Sequence, residues 1–253
     1  MMRRVAMQIM YDGTDFLGWQ RQGSGRTVQE VIETMLSRLC GDRSITIVGA
    51  GRTDSGVHAY GQVAHADLGT RYDDDQLLKA LQRMSPSDLV IANLSTVDDE
   101  FHARYSARRR SYRYRIIRKP DPFLARYAWY LPFELDVNTM NDVALYFRGT
   151  HDYTALSKHN PDTPDAVCEV YSAQWHDGGI HLDFHITANR FLYGMVRLLV
   201  GVQYDVGRGA RGAEEVPEIL KSKDRSRQSV AAPTTGLSLI HVDYENSAFQ
   251  PLY

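Results

Sequence analysis

The chain has 253 residues, of which 43% are hydrophobic and 24% are charged, and this composition excludes a collagen-like, coiled-coil or largely disordered protein. Its 29 basic and 31 acidic residues give a net charge of −2, so the overall charge indicates no class of partner. Cys40 and Cys168 are far apart, which offers no disulfide framework or zinc cluster and favours a cytoplasmic location. The most apolar stretch, residues 191–206, is interrupted by Arg197 and Asp205, so no membrane span is expected.

The first hundred residues predict the order strand, helix, strand, strand, helix, strand. Residues 4–10 predict the first strand, which ends at the turn-forming Asp12-Gly13. A helix is predicted over 28–40, because Thr27 and Glu30 have capping-box spacing and apolar residues recur at helical intervals after them. The remaining predictions here are strands at 44–48 and 62–68 around a glycine-rich loop, a helix at 77–84 and a strand at 89–97.

The rest of the chain repeats this alternation. The predicted elements are a strand at 111–118, a helix at 140–147, a hairpin of strands at 169–176 and 180–188, helices at 191–204 and 217–221, and a last strand at 237–244. Hairpins mixed with helices favour an α+β fold over a doubly wound parallel sheet. The predicted domains are residues 1–105, which carry the glycine-rich loop, and residues 106–253.

The glycine-rich loop over residues 49–58 is the first candidate for chemistry. Its glycines permit backbone conformations that other residues resist, and they let another molecule approach closely. Arg52 and Asp54 are two positions apart, so an extended segment points both to the same side. A carboxylate beside a guanidinium stays ionised, as a nucleophile or proton acceptor must be. The alternative is a turn in which Arg52 and Asp54 only pair with each other and cap backbone groups.

Residues 101–120 form a basic segment with eight lysines or arginines and no acidic residue. Arginines bind phosphates and aromatic faces stack on unpaired bases, so the segment predicts contact with a nucleic acid. A solvated basic strand is the alternative. Alternation along the predicted strand places Tyr112 and Tyr114 on one face, where spacing alone favours core positions for both. The aromatic residues of the segment are Phe101, Tyr105, Tyr112 and Tyr114.

Two further patterns have structural explanations. Residues 207–212 match G-x-G-x-x-G, but a predicted helix precedes them, so they indicate a basic surface loop rather than a dinucleotide site. His181, Asp183 and His185 share one face of a predicted strand and have the residue types of a metal site. Because the residues between them are apolar and take the buried face, this polar set is interpreted as the solvent-facing side.

Taken together, the motifs resemble the TruA family of tRNA pseudouridine synthases. The resemblance runs from about residue 8 to residue 244, and GRTDSGVHA at residues 51–59 is its most specific part. The sequence departs from the family at Ser238, a strand position where the family usually has tyrosine, and this leaves the chemistry undisturbed. The other matching motifs are YDG at 11–13, GWQRQ at 18–22, FHAR at 101–104, YRY at 112–114, GTHDY at 149–153, NRFL at 189–192, MVR at 195–197 and GL at 236–237.

The resemblance implies a pseudouridine synthase fold, in which two RRM-like α/β halves form a continuous, mainly antiparallel sheet flanked by helices, with the active cleft between them. It also implies a homodimer that binds tRNA across both subunits and isomerises uridines 38, 39 and 40 of the anticodon arm. The reaction breaks the C1′–N1 bond and forms a C1′–C5 bond, which needs no metal, redox carrier or nucleotide cofactor.

The resemblance also assigns roles to residues. Asp54 matches the catalytic aspartate, which either attacks C1′ or removes the C2′ proton to give a glycal. Arg52 matches an arginine that helps to move the target base out of its stack, and Tyr112 the tyrosine that stacks on it. Arg197 matches a basic partner of the aspartate, and Leu237 an apolar wall of the pocket. The candidates for further RNA contacts are Arg104, Arg108, Arg109 and Arg110.

Two other classes of function remain open from the sequence. A non-catalytic RNA-binding protein or RNA chaperone explains the basic segment, but it gives no reason for Arg52 and Asp54 in a glycine-rich loop. A metal-dependent hydrolase would use His181, Asp183 and His185.

Overall fold

The computed structural model describes residues 2–161, 163, 165–245 and 249–252. The chain divides into two compact units, one comprising Met1–Arg108 and Ser238–Tyr253 and the other Arg109–Leu237. The strands are β1 (Met2–Tyr11), β2 (Val48–Gly49), β3 (His58–Gly69), β4 (Leu89–Thr96), β5 (Ala107–Ile117), β6 (Trp129–Tyr130), β7 (Gly149–Asp152), β8 (Val167–Asp177), β9 (His181–Ala188) and β10 (Leu237–Tyr244). The helices are α1 (Val28–Leu39), α2 (Asp74–Met84), α3 (Val137–Leu145), α4 (Met195–Gly207) and α5 (Glu215–Ser222).

The sheet of the first unit is mainly antiparallel. β1 lies between β3 and β4 and pairs antiparallel with both. β10 runs parallel to β3, with Ser238 opposite His58 and Leu239 opposite Ala59. This last strand, which is predicted to belong to the C-terminal domain at 106–253, hydrogen-bonds to a strand of the first unit.

Of the strand predicted at 44–48, only Val48 lies in a strand, the two-residue β2. The reason lies in α1, where Glu33 is buried although it is charged. Its Oε1 accepts the backbone N–H of Ile47 at 3.0 Å, so a side chain takes the position of a neighbouring strand. Arg21 donates to the other carboxylate oxygen at 2.9 Å and supplies the counter-charge.

The sheet of the second unit has the order β5–β9–β8–β7, with antiparallel pairing throughout this path. Alternation along β5 and β9 buries one face, and Tyr114 and Phe184 are completely inaccessible to solvent. α4 begins at Met195 rather than at residue 191, because Gly194 before it has φ 69° and a left-handed residue does not continue a helix. The short strands β6 and β7 were not predicted.

The mixture of helices with mainly antiparallel sheets confirms the predicted α+β class. Within the described residues, no helix combines the length and the apolar character that crossing a membrane would require.

Candidate active site

Asp54 lies in an irregular loop that joins β2 to β3 in the first unit, here called the Asp54 loop and comprising residues 50–57. Asp54 is half-buried and Arg52 is exposed, while Thr53 between them is buried. The Asp54 carbonyl accepts the N–H of Val57 at 3.1 Å and closes a turn in which Gly56 has φ 78°. The loop therefore places a partly accessible carboxylate directly before a tight turn.

Thr53 anchors the loop on the N-terminal side of Asp54. Its hydroxyl is hydrogen-bonded to the Tyr11 hydroxyl at 2.8 Å, and its carbonyl accepts the N–H of Trp19 at 3.1 Å. Burial raises the pKa of Tyr11 to about 12, so this hydroxyl keeps its proton at neutral pH. The backbone that enters Asp54 is thus held by two residues of other segments.

Two glycines pack directly against the backbone of the Asp54 loop. A Cβ atom at Gly13 would lie 2.0 Å from the carbonyl oxygen of Val57. A Cβ atom at Gly18, which has φ 90°, would lie 2.7 Å from the carbonyl oxygen of Thr53. Both glycines belong to motifs that resemble the family, but their contacts with the loop were not predicted. The only local signal was glycine within polar turns, since the contacts join residues far apart in the chain.

Phe16 anchors the C-terminal side of the loop. Its carbonyl accepts the Ser55 hydroxyl at 3.2 Å, and the Arg26 guanidinium lies over its ring at 4.0 Å. Arg26 in turn donates two hydrogen bonds to Asp88, at 2.6 and 2.8 Å, and these hydrogen bonds lower the pKa of the Asp88 carboxyl. The backbone on both sides of Asp54 is therefore held by contacts with other segments of the first unit.

Tyr112 belongs to the second unit and lies near the start of β5. It is 9% exposed, and its ring packs edge-to-face on Phe191 with centroids 5.1 Å apart. The burial predicted from its spacing is confirmed, and so is that of Tyr114. Phe191 holds the edge of the Tyr112 ring and so restricts its orientation.

Arg197 and Leu237 lie at a second group of contacts in the same unit. The Nε of Arg197, in α4, donates to the Ala232 carbonyl at 2.7 Å, and the Ala232 N–H donates back to the Arg197 carbonyl at 3.0 Å. The Tyr114 hydroxyl donates to the carbonyl of Pro233 at 2.9 Å. The segment that ends at the buried Leu237 is therefore tied to both α4 and β5.

The basic segment has counter-charges that its own sequence does not show. Arg115 donates two hydrogen bonds to Asp183, at 2.7 and 2.6 Å, and Arg118 donates to Asp177 at 2.7 Å. Arg108 pairs with Glu245. Of the candidates for RNA contact, Arg104, Arg108 and Arg109 are exposed, whereas Arg110 is buried and donates to the Asn189 carbonyl at 2.7 Å.

The polar face of β9 carries the residues considered for a metal. The apolar residues between them are buried as predicted, but Asp183 is only 7% exposed, so the prediction that this polar set faces solvent is wrong for Asp183. Burial alone would raise the pKa of Asp183, yet the hydrogen bonds from Arg115 bring this pKa below its usual value. Asp183 thus serves as the partner of an arginine. In the described part of the chain, no three residues among His, Cys, Asp and Glu are grouped so that they could hold a metal ion.

Comparisons with known proteins agree with the motifs. The sequence profile of a family described as tRNA pseudouridine synthase matches residues 7–106 and 143–245. The chain is 41% identical over 246 residues to tRNA pseudouridine synthase A of Anoxybacillus flavithermus, with 97% of this chain and 100% of that protein covered. It is 39% identical over 248 residues to tRNA pseudouridine synthase A of a Geobacillus species, with 97% and 100% covered. Among solved structures, the chain is similar to one from a crystal structure of a Cbf5–Nop10–Gar1 complex, with 10% sequence identity and a TM-score of 0.37. The superposition covers 93% of this chain and 48% of that chain, and the similarity is too low to support a conclusion.

Proposed function

This chain belongs to the tRNA pseudouridine synthase family and is an isomerase that converts uridine in tRNA into pseudouridine. We propose that its targets are uridines 38, 39 and 40 of the anticodon stem-loop. The observation that carries the catalytic part of this proposal is Asp54, a half-buried carboxylate on a loop anchored on both sides by Thr53 and Phe16. The target positions rest on the resemblance of residues 51–59 to the TruA motif.

Asp54 starts the reaction by one of two routes. As a nucleophile it attacks C1′, the C1′–N1 bond breaks, and uracil leaves with the bonding electron pair. As a base it removes the C2′ proton, a C1′–C2′ double bond forms, and uracil leaves with the C1′–N1 electron pair, which gives a glycal. In both routes the freed uracil rotates and C5 bonds to C1′. This step either breaks the C1′–oxygen bond and releases the Asp54 carboxylate, or saturates the glycal as the proton returns to C2′. The C5 proton must then leave to restore the aromatic ring.

The other candidate residues have roles that suit their surroundings. Arg52 is exposed, so its guanidinium is available to displace the target base from its stack. Tyr112 stacks on the freed uracil, and its contact with Phe191 keeps the ring in place while the uracil turns. Arg197 supplies a positive charge, positioned through the Ala232 carbonyl, and Leu237 supplies an apolar surface for the base.

The partner included in this proposal is the anticodon arm of tRNA, bound by a homodimer in the cytoplasm. The exposed guanidinium groups of Arg104, Arg108 and Arg109 support contact with phosphates. Arg110, by contrast, is buried, and its guanidinium is hydrogen-bonded to the Asn189 carbonyl rather than exposed to a phosphate.

The test is pseudouridine mapping in an unmodified tRNA transcript with uridine at 38, 39 and 40, after incubation with wild-type protein and with Asp54→Asn. We expect modification at these three positions by the wild type. Asp54→Asn should remain folded and bind tRNA but form no pseudouridine, because the amide is neither a nucleophile nor a base. Asp75→Asn, which removes an equal charge from an exposed position in α2, is the matched control and should keep full turnover.

Three results would contradict parts of this proposal. Full turnover by Asp54→Asn would remove this residue from the chemistry. Pseudouridine at other tRNA positions alone would contradict the proposed targets. Tight tRNA binding by the wild type without any pseudouridine would favour an RNA chaperone.

A further inference from the structure

Three aromatic rings lie in contact in a row from β3 to the surface of the first unit, the first two tilted by 58° and the last two stacked. His65 in β3 is 5% exposed, and its ring centroid lies 4.8 Å from that of His102. His102 in turn stacks on Tyr105, with centroids 4.4 Å apart and planes inclined by 29°. Tyr105 is 77% exposed. The outermost ring is therefore presented to solvent on a support that reaches the core.

The turn that carries these rings is held by specific hydrogen bonds. The N–H of Ala103 donates to His65 Nδ1 at 3.1 Å, and the Tyr244 hydroxyl donates to the Ala103 carbonyl at 2.7 Å. The N–H of His102 donates to the Ser106 hydroxyl at 3.0 Å. The backbone N–H groups of Arg104 and Tyr105 both donate to His102 Nδ1, at 3.2 Å each. Because the turn is already ordered, a ligand that stacks on Tyr105 has little further ordering to impose.

Both histidines are neutral supports at neutral pH. Burial lowers the pKa of His65 to about 4, so this ring is neutral at neutral pH. Because the N–H of Ala103 donates to Nδ1, the one proton of the neutral ring is on Nε2. Burial also lowers the pKa of His102. An uncharged imidazole beneath Tyr105 adds no positive charge of its own to the phenol ring.

Tyr105 differs from the other aromatic residues of the basic segment. Tyr112 and Tyr114 are buried, and Phe101 is half-buried against Tyr244, with ring centroids 5.0 Å apart. Tyr105 alone among the four is exposed, and the guanidinium of Arg104 lies 5.7 Å from its ring centroid. An exposed aromatic ring next to an arginine suits a single-stranded nucleotide, whose base stacks and whose phosphate is negatively charged.

We propose that Tyr105 is a stacking site for an unpaired nucleobase of the tRNA other than the uridine that reacts, and that Arg104 contacts an adjacent phosphate. The anticodon loop, next to the proposed targets, contains unpaired bases of this kind. The identity of the nucleic acid rests on the proposed function, whereas the presence of a stacking site rests on the ring geometry.

The first test compares the Kd for tRNA of Tyr105→Ala with that of the wild type over a range of salt concentrations. Loss of one stacked base should raise Kd about 5- to 150-fold. The salt dependence should keep its slope, because the ring neutralises no phosphate, whereas Arg104→Ala should lower the slope. Tyr105→Phe keeps the π face and should bind as the wild type does. The matched control is Phe123→Ala, since Phe123 is 87% exposed outside the basic turn at 101–106, and its Kd should not change.

The second test uses fluorescence. Tyr105→Trp should keep the affinity, and saturating tRNA should quench its emission beyond the quenching of the wild type, because the added indole stacks on a base. An unchanged Kd for Tyr105→Ala, or no additional quenching with Tyr105→Trp, would overturn the stacking site. A shift in oligomeric state of Tyr105→Ala with unchanged tRNA affinity would identify the ring as part of a protein interface instead.

This proposal and the proposed function fail separately. If the wild type modifies uridines 38, 39 and 40 and Tyr105→Ala binds tRNA as tightly as the wild type, only the stacking site is wrong. If Tyr105→Ala weakens binding but the wild type modifies other positions, the stacking site stands and the proposed targets are wrong.

Discussion

The ring and the hydroxyl of Tyr112 have separable functions in the proposed reaction. The ring is 9% exposed and packs against Phe191, so burial alone does not distinguish a core residue from one that also stacks on a base. The hydroxyl is the informative atom, since a base is needed to remove the C5 proton after the new bond has formed.

We expect Tyr112→Phe to be as stable as the wild type and to lose turnover by about 100-fold or more, the range in which general acid–base catalysis contributes. Tyr112→Ala should in addition lose about 1–3 kcal/mol of base stacking. Single-turnover assays that follow glycosidic cleavage and pseudouridine release separately would locate the defect in the last step.

The control for Tyr112→Phe is another buried tyrosine of the second unit, Tyr153, whose hydroxyl takes no part in the proposed reaction. Tyr153 donates to the carbonyl of Phe147, so Tyr153→Phe should lower the melting temperature and keep turnover per folded molecule. Wild-type turnover by Tyr112→Phe would exclude a role for its hydroxyl and leave stacking alone.

The Asp54 loop depends on glycines that belong to another segment. Gly18 combines two constraints, a positive φ and a close approach to the backbone at Thr53. Two other glycines, Gly41 and Gly23, allow the effects of these constraints to be measured separately. Gly41 has φ 74°, but a Cβ atom there would meet no atom of the described residues within 4 Å. Gly23 has the same open space around it and no positive φ.

We therefore expect different effects of alanine at the three positions. Gly41→Ala should lose about 1–2 kcal/mol of unfolding free energy through backbone strain alone, and Gly23→Ala should lose almost nothing. Gly18→Ala should lose more than Gly41→Ala, and its turnover per folded molecule should fall about 10- to 100-fold because Asp54 is displaced. Denaturant unfolding and pseudouridine assays measure the two effects. Normal turnover by folded Gly18→Ala would show that this contact does not position Asp54.

The elements show why periodicity predicted most of the fold and failed at particular points. α1 and β5 follow their predicted patterns closely, because each buries one regular face. The strand predicted at 44–48 is displaced by Glu33, a side chain from α1 that takes the Ile47 N–H. The start of α4 is set by the left-handed Gly194. Both deviations come from single residues, Glu33 and Gly194, whose effects cannot be predicted from hydrophobic periodicity.

At the scale of the whole molecule, the balance of charge decides how much of the basic segment can contact RNA. Arg115 and Arg118 pair with aspartates of β8 and β9, and Arg110 is buried. Arg108 and Arg109 are exposed and remain the candidates for phosphate contact within β5, although Arg108 also pairs with the exposed Glu245. Within this strand, their positive charges should therefore dominate the salt dependence of tRNA binding.

We expect the combined substitution Arg108→Ala and Arg109→Ala to weaken tRNA binding and to reduce the salt slope by up to about one per arginine, because each phosphate contact releases counterions. Turnover at saturating tRNA should fall much less. The matched control removes two exposed arginines elsewhere, Arg38 of α1 and Arg83 of α2. An unchanged slope in the first variant, or an equal decrease in the control, would show that the basic segment does not bind phosphates.

The sequence by itself determined the family, the loop proposed to be catalytic and the buried faces of the main elements. These properties can be predicted from short stretches of sequence, such as the motif around Asp54 or the alternation at Tyr112 and Tyr114. Only the tertiary structure decided which cations have carboxylate partners, which aromatic ring is exposed, and how Gly13 and Gly18 hold the loop. The physical reason is that each of these depends on contacts between residues distant in the chain, and no local pattern contains both partners of such a contact.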